Sequence, residues 1–325
     1  MTSMEEPPQY YHHMAYKPVI SLFVPFVISL IGFLPYRAQT QQLSKEELLY
    51  LTAAWKGERF ADGRPKIPDD LIRRARNIGI EDAWTILNNQ GYHCQFEGGW
   101  KMITDSPIVG RALTACFIPA RPDLEQQIRE RGRKEGRIGN TNSWPIDQLT
   151  QGDVYVADGF GKIANGTLIG DNLGNSIFAR SGNGVVFDAS ARDLEGLSAI
   201  NGFNAFVRDW DPSYLKDELL IGLNVPIRIG HAVVLPGDLV LAKKEGVIFI
   251  PAALAEKVIV TAEFIALRDE FGISRLKEGR YTPGQIDDQW TDAIKTDFLQ
   301  WLTQRPEKVI MTREQLDGYL QKRTW

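Results

Sequence analysis

Two short runs carry the residue types from which a reaction could be built: Gly170-Asp171-Asn172-Leu173 and, with twenty residues between it and Asp171, the pair Arg192-Asp193. A glycine turn entering a helix leaves backbone N–H groups without intrahelical partners, here around Asp171 to Leu173, and such groups bind carboxylates. Arg192 supplies a permanently charged fork suited to a substrate carbonyl and to a developing enolate oxygen. Cleaving the C–C bond beside the carbonyl of a 2-oxo acid makes such an enolate, which a metal ion stabilises as a Lewis acid. A hard ion such as Mg2+ keeps several waters and needs one or two protein carboxylates, so Asp193 is the expected ligand. Asp171 is expected to position a metal-bound water for proton transfer. Spacing alone allows a second assignment, in which Asp171 caps one helix and Arg192-Asp193 open another with a local salt bridge.

For the two runs to meet, a strand, a helix and a second strand must bring the chain back to one edge of a sheet. The sequence supplies them in order: an apolar strand at 154–157 after Gly152-Asp153, a helix at 173–180 and the strand GVVFD at 184–188. Arg192-Asp193 then follows that strand's end, where ligands of open α/β sheets bind. Short β-branched runs at 205–208, 225–229, 238–242 and 247–250 add strands late in the chain. Upstream, Ser44-Lys45-Glu46-Glu47 is a capping box opening a helix to about residue 54, followed by helical patterns at 69–77 and 81–88, a strand at 110–119 and a charged helix at 122–136. Downstream, helices are expected at 252–270 and 290–302, with a last one opened by Thr312-Arg313-Glu314-Gln315. The reading is an α/β core at 91–280 between a helical lead-in at 41–90 and a C-terminal helical extension at 281–325.

Several other chemistries are excluded or weakened. A net charge of -4, and a densest basic run (129–137) interrupted by Glu130 and Glu135, argue against nucleic acid as a partner. Of four histidines, His12 and His13 lie in the leader, and His93 and His231 alone cannot build a His-rich zinc centre. No G-x-S-x-G elbow accompanies them, so a Ser-His-Asp triad is equally unsupported. Gly159-Phe160-Gly161-Lys162-Ile163-Ala164 imitates a dinucleotide fingerprint, but a glycine-broken stretch follows it instead of an amphipathic helix. Residues 18–34 are apolar and uncharged, Lys17 precedes them and Ala38-Gln39-Thr40 follows as a small-x-small site. They read as a signal peptide removed near residue 40, with Met14 as a candidate start, which implies export to a periplasmic or extracellular compartment; the alternative is an uncleaved membrane anchor. In such a compartment Cys94 and Cys116 would meet oxidising conditions, and a disulfide between them is left open.

The same residues resemble the RraA-like family, which includes 4-hydroxy-4-methyl-2-oxoglutarate aldolases and the regulator of ribonuclease activity A. The D-x20-R-D pattern of its aldolase members is met by Asp171, Arg192 and Asp193, and GDVYVADG (152–159), GVVFD and LPGDLVLAKKEGVIFIP (235–251) follow in the family's order. The resemblance spans about residues 105–280. It implies a three-layer α/β/β core, assembly as a homotrimer or hexamer, and sites at subunit boundaries. It also implies that Gly170, Asp171, Asn172 and Leu173 bind the substrate through backbone amides, that Arg192 contacts it, and that Asp193 ligates Mg2+ or Mn2+. A further acid is expected from a neighbouring subunit, with Glu270 as candidate. The implied activity is a lyase that cleaves a 4-hydroxy-2-oxo acid to pyruvate or decarboxylates oxaloacetate. The competing class is a non-catalytic binding protein of the ribonuclease-regulator type. The chain departs from the family at Asp188-Ala189, where Asp-Gly is frequent, and at Lys243-Lys244-Glu245-Gly246.

Overall fold

The computed structural model describes residues 42–322. Helix α1 (Lys45–Leu51) opens as its capping box requires: the Ser44 hydroxyl accepts the Glu47 N–H at 3.2 Å, and the Glu47 carboxylate accepts the Ser44 N–H at 3.0 Å. Helices α2 (Asp69–Ala75) and α3 (Ile80–Asn88) complete the lead-in. Then come β1 (Phe96–Glu97), β2 (Lys101–Met102), β3 (Ile108–Pro119), α4 (Pro122–Lys134), β4 (Asp153–Thr167), α5 (Asp171–Ser181), β5 (Val185–Ala191), α6 (Leu194–Ser198) and β6 (Ala205–Trp210). Strands β7 (Glu218–Leu223), β8 (Ile227–Ile229), β9 (Ala232–Val234), β10 (Leu239–Lys243) and β11 (Gly246–Ile250) follow. The long helix α7 (Ala255–Lys277) leads into α8 (Pro283–Asp287), α9 (Asp292–Thr303) and α10 (Arg313–Lys322).

Strands β3, β4, β5 and β6 pair in parallel, with Leu113 opposite Tyr155, Tyr155 opposite Val185 and Val185 opposite Ala205. Antiparallel strands extend this centre to the order β1-β11-β10-β3-β4-β5-β6-β2, and β7 pairs with β3 off that path. Successive side chains of a strand face opposite ways, and here both faces are covered. On one side Leu113, Tyr155 and Phe187 pack with Ile177 of α5 and Leu197 of α6. On the other, Ala112, Val154, Val156, Val186 and Phe206 pack with Ile227, Ile229, Ala232 and Val234 of the β8–β9 hairpin. That second sheet makes the core α/β/β, as the resemblance implies. Each fully buried Phe or Val in these layers contributes about 1.5–3 kcal/mol of apolar transfer energy.

The two helical extensions cover the remaining apolar surface. Leu71, Ile72, Ala83 and Leu87 of the lead-in pack with Leu241, Ile248 and Ile250 and with Val258 and Ile259 of α7. The second half of α7 carries Phe264 and Phe271 into a cluster with Phe298 and Trp301 of α9 and Leu316 of α10. Thr312 and Gln315 form the expected reciprocal cap of α10, at 3.1 and 3.2 Å.

The elements depart from the sequence reading in several places, the short β1, β2, α6 and α8 among them. Strand β4 runs to Thr167 instead of stopping near 157: beyond Asp158 its register with β5 shifts twice, with Lys162 opposite Ala189 and Thr167 opposite Ser190. The glycine motif at 159–164 is therefore part of an irregular strand and no strand-to-helix turn, which removes the dinucleotide reading. Strands β7 and β9 have no counterpart in that reading, since ELLIGL is a continuous apolar run whose periodicity does not separate strand from helix. The localisation is also corrected. Among the described residues no helix is long and apolar enough to cross a membrane, and the apolar run 18–34 that carried the expectation of export or of an anchor lies outside them. Cys94 and Cys116 are both free, so the disulfide left open does not form.

Candidate functional site

Three neighbouring parallel strands end at one edge of the sheet, and each hands the chain to a wall of the same cleft. After β4, Leu168 N–H bonds the Ser190 carbonyl at 3.0 Å, and the chain enters α5 through Gly170. After β5, Arg192 N–H bonds the Ile169 carbonyl at 3.0 Å, which fixes Arg192 beside that entry. After β6, Asp211 N–H bonds the Ala191 carbonyl at 3.1 Å and starts the 211–217 segment that carries Tyr214. The cleft they enclose has a volume of about 180 Å³ and is lined by Gly170 to Leu173, Arg192 and Tyr214, with Asn140 and Asn142 from the connection between α4 and β4. Gly170, Asp171, Asn172, Leu173 and Arg192, which fall in two separate runs of the sequence, thus share one cavity.

The helix entry leaves backbone N–H groups outside the helical ladder. The first intrahelical bond of α5 runs from Gly174 N–H to the Gly170 carbonyl at 2.9 Å, so the N–H groups of Asp171 to Leu173 precede the ladder. One of them, that of Asn172, is taken by the Asp171 side chain at 2.7 Å. Eleven residues of helix dipole reinforce the positive end. At the far end Gly182, at φ 63°, takes the left-handed conformation that terminates the helix cheaply. Gly170 leaves room of a different kind: a Cβ there would lie 2.2 Å from Asp193 Oδ2 and 3.1 Å from Arg192 Nε, so in this arrangement the two side chains would have to shift.

Arg192 and Asp193 are loosely held. Nε of Arg192 lies 3.5 Å from Asp193 Oδ2, with the two side chains 32% and 38% exposed. The guanidinium carbon stands 4.6 Å from the centre of the Tyr214 ring, a cation–π contact, and both residues line the cleft. Asp193 adopts φ 57°, ψ 44°, a left-handed conformation that costs a non-glycine residue roughly 1 kcal/mol. Backbone strain of this sort persists where surrounding structure imposes it, and it gathers at functional positions. The local salt bridge that spacing allowed is present, and of its two residues Arg192 lines the cleft.

The expectation of Mg2+ or Mn2+ is corrected. Among the described residues no group of three or more His, Cys, Asp or Glu is placed to hold a metal ion. Asp193 is turned to Arg192, and Asp171 to the Asn172 N–H of its own helix. Glu270, the candidate for a second acid, lies on α7 in an ion pair with Lys308 at 3.0 Å and lines a different cleft with Asn77 and Ile310. His93 and His231 are surface residues bonded to Asn88 at 2.7 Å and to Glu97 at 3.2 Å.

Sequence reasoning missed Asn140, Asn142 and Tyr214. Nothing in their spacing marks them, since each reaches the cleft from a loop whose position depends on distant contacts. The turn-forming Asp-Pro-Ser before Tyr214 signals a loop and no more.

The family model described as RraA-like, aldolase/RraA, matches residues 77–249 of the chain. The chain belongs to the RraA-like family. A putative 4-hydroxy-4-methyl-2-oxoglutarate aldolase of Halalkalibacterium halodurans is 30% identical over 123 residues, 38% of this chain and 58% of that protein. A protein of the same description from Alcanivorax borkumensis is 32% identical over 106 residues, 32% of this chain and 64% of its own. The matched segments thus span less than two thirds of either relative. Among solved structures, an uncharacterized protein from Pseudomonas syringae pv. tomato superposes with a TM-score of 0.57 at 21% identity, covering 72% of this chain and 98% of its own. Streptomyces coelicolor RraAS2, described as an unusual member of the RNase ES inhibitor RraA protein family, gives 0.55 at 22% identity, covering 65% and 100%. At these identities the structures establish the RraA-like fold.

Proposed function

We propose that this RraA-like chain binds a small 2-oxo acid by its carboxylate in the cleft at the α5 entry, in the manner of a binding or regulatory protein. The observation that carries the reading is the convergence of Arg192 with the start of α5 on one cavity. An arginine edge and backbone N–H groups are charge-assisted partners for a carboxylate, and such bonds contribute about 1.5–3 kcal/mol. The acids nearby are already engaged, Asp193 with Arg192 and Asp171 with the Asn172 N–H, which supports holding over proton transfer.

A second reading, a lyase releasing pyruvate from a 4-hydroxy-2-oxo acid or from oxaloacetate, is supported by Asp171 and Arg192 in one cleft lining, with Asp193 paired to Arg192, and by the descriptions of the two sequence relatives. Here Arg192 would balance the charge of the enolate as the C–C bond breaks. Calorimetric titration with pyruvate, alongside a pyruvate-release assay on oxaloacetate and 4-hydroxy-2-oxoglutarate, separates the two. Pyruvate binding that weakens at least about tenfold in Arg192→Ala, with no release from either acid, is the expected result. Release that disappears in Arg192→Ala transfers the site to the lyase reading, and wild-type protein that binds neither pyruvate nor the longer acids defeats both.

A further inference from the structure

Apart from Asp171 and Arg192 the described lining of the cleft is uncharged: Asn140, Asn142, Thr167 and the Tyr214 ring contribute to it, and Asp193 pairs with Arg192 beside it. We infer that the cleft selects a 2-oxo acid with one carboxylate and an uncharged, hydroxyl-bearing chain, and that Tyr214 is the specificity-determining residue. The inference rests on the carboxylate-binding reading above and names the substrate class of that site.

One carboxylate satisfies Arg192 and the α5 entry. A second would leave water for a wall whose charges already cancel, and an ion desolvated without a counter-charge is strongly disfavoured. Hydroxyl groups fit the same wall better. Asn142, which lines the cleft, gives one of its two amide N–H groups to the Leu168 carbonyl at 2.7 Å, and its Oδ1 is an acceptor. That atom accepts a bond from a hydroxyl and repels a carboxylate.

Tyr214 stands in place without being buried. It is 71% exposed, yet the loop beneath it is tied down on both flanks. Ser213 Oγ accepts the Asn165 N–H at 2.6 Å, Lys216 N–H bonds the Asn165 carbonyl at 2.9 Å, and Lys162 Nζ bonds the Lys216 carbonyl at 2.6 Å. The irregular part of β4 thereby sets where the ring lies. With the guanidinium carbon 4.6 Å from its centre, the ring sets a neutral surface against Arg192 at the cleft.

The test compares 4-hydroxy-2-oxopentanoate with 4-hydroxy-2-oxoglutarate, which differ in a methyl against a carboxylate at the far end, by calorimetric titration of the full chain with pyruvate as the common reference. The monocarboxylate is expected to bind at least about tenfold more tightly. In Tyr214→Ala that preference should shrink to within about threefold, and in Tyr214→Phe it should persist. The exposure of Tyr214 makes both variants compatible with folding. Equal affinities in the wild type, or a tighter dicarboxylate, overturn the selectivity; an unchanged ratio in Tyr214→Ala overturns the role of the ring. Pyruvate binding in either case leaves the carboxylate site standing, whereas loss of all three ligands brings down that reading too.

Discussion

Two arginines at opposite ends of the parallel strands are treated differently. Arg64, in the lead-in, is 2% exposed at its side chain and fully spent: it makes two bonds to Asp153 at 3.1 and 3.2 Å and one to Asp62 at 3.2 Å, with its guanidinium carbon 4.7 Å from the centre of the Phe60 ring. Asp153, at the start of β4, is itself closed by the N–H and hydroxyl of Thr150, both at 2.9 Å. Arg192, beyond the end of β5, is 32% exposed and has one long contact to its sequence neighbour. A buried charge must be matched almost completely or the fold loses more in desolvation than it regains. A partly exposed charge stays solvated, so its donors remain open to a ligand. The loosely paired arginine, not the strongly paired one, marks the site.

Breaking the buried pair should have the largest effect. Arg64→Ala leaves Asp153 uncompensated and is expected to cost about 3–5 kcal/mol, measured as a lowered urea midpoint, while protein that remains folded in the cold keeps its affinity for pyruvate. Coupled loss of stability and pyruvate affinity would show that the two regions are one network and dissolve the contrast.

Glu218 occupies the middle ground. Its side chain is fully buried but among the described residues neither oxygen accepts a hydrogen bond, and Lys162 Nζ stands 3.6 Å away. Burial pushes its carboxyl up from the usual 4.5 to about 7, with Lys162 pulling the other way. The unfolded chain releases this proton near 4.5 and the folded chain near 7, so the folded state is disfavoured progressively as pH rises across that interval. Glu218→Gln should therefore match the wild type at about pH 4 and exceed it by on the order of 1–3 kcal/mol at about pH 8. A wild-type stability curve that does not fall between those pH values, or a variant that tracks it throughout, would contradict the assignment. A result of the expected size shows what incomplete matching costs.

The smallest effect belongs to the cleft itself. Asp193→Asn keeps a residue that tolerates the left-handed conformation and removes the exposed pair, so stability read from the thermal midpoint should move by no more than about 0.5 kcal/mol. Freed of its neighbour, Arg192 should bind pyruvate on the order of threefold more tightly. A large drop in the midpoint would mean that Asp193 is structural after all.

Much of this arrangement is legible in the chain. Apolar runs and capping residues mark β3, β5, β6, β10, β11 and most helices, because their periodicity and end chemistry are local properties. Parallel strands joined by a helix return to the same edge of a sheet, and that rule alone places Gly170 to Leu173 beside Arg192-Asp193. What local pattern does not encode is which distant segments close over the sheet and its edge. The β8–β9 hairpin forms the third layer through long-range packing: Ile227 meets Ala112 and Val154 only in the folded core, and nothing in its sequence neighbours announces them. Tyr214 reaches Arg192 because Asn165 and Lys162 hold its loop, contacts set by a strand irregularity between Asp158 and Thr167. The charges of Asp171 and Asp193 look free for a metal ion in the sequence and are spent on their own neighbours in the structure. Residue types and spacing thus determine what groups the cleft contains, while only tertiary contacts decide which of those groups stay open to a ligand.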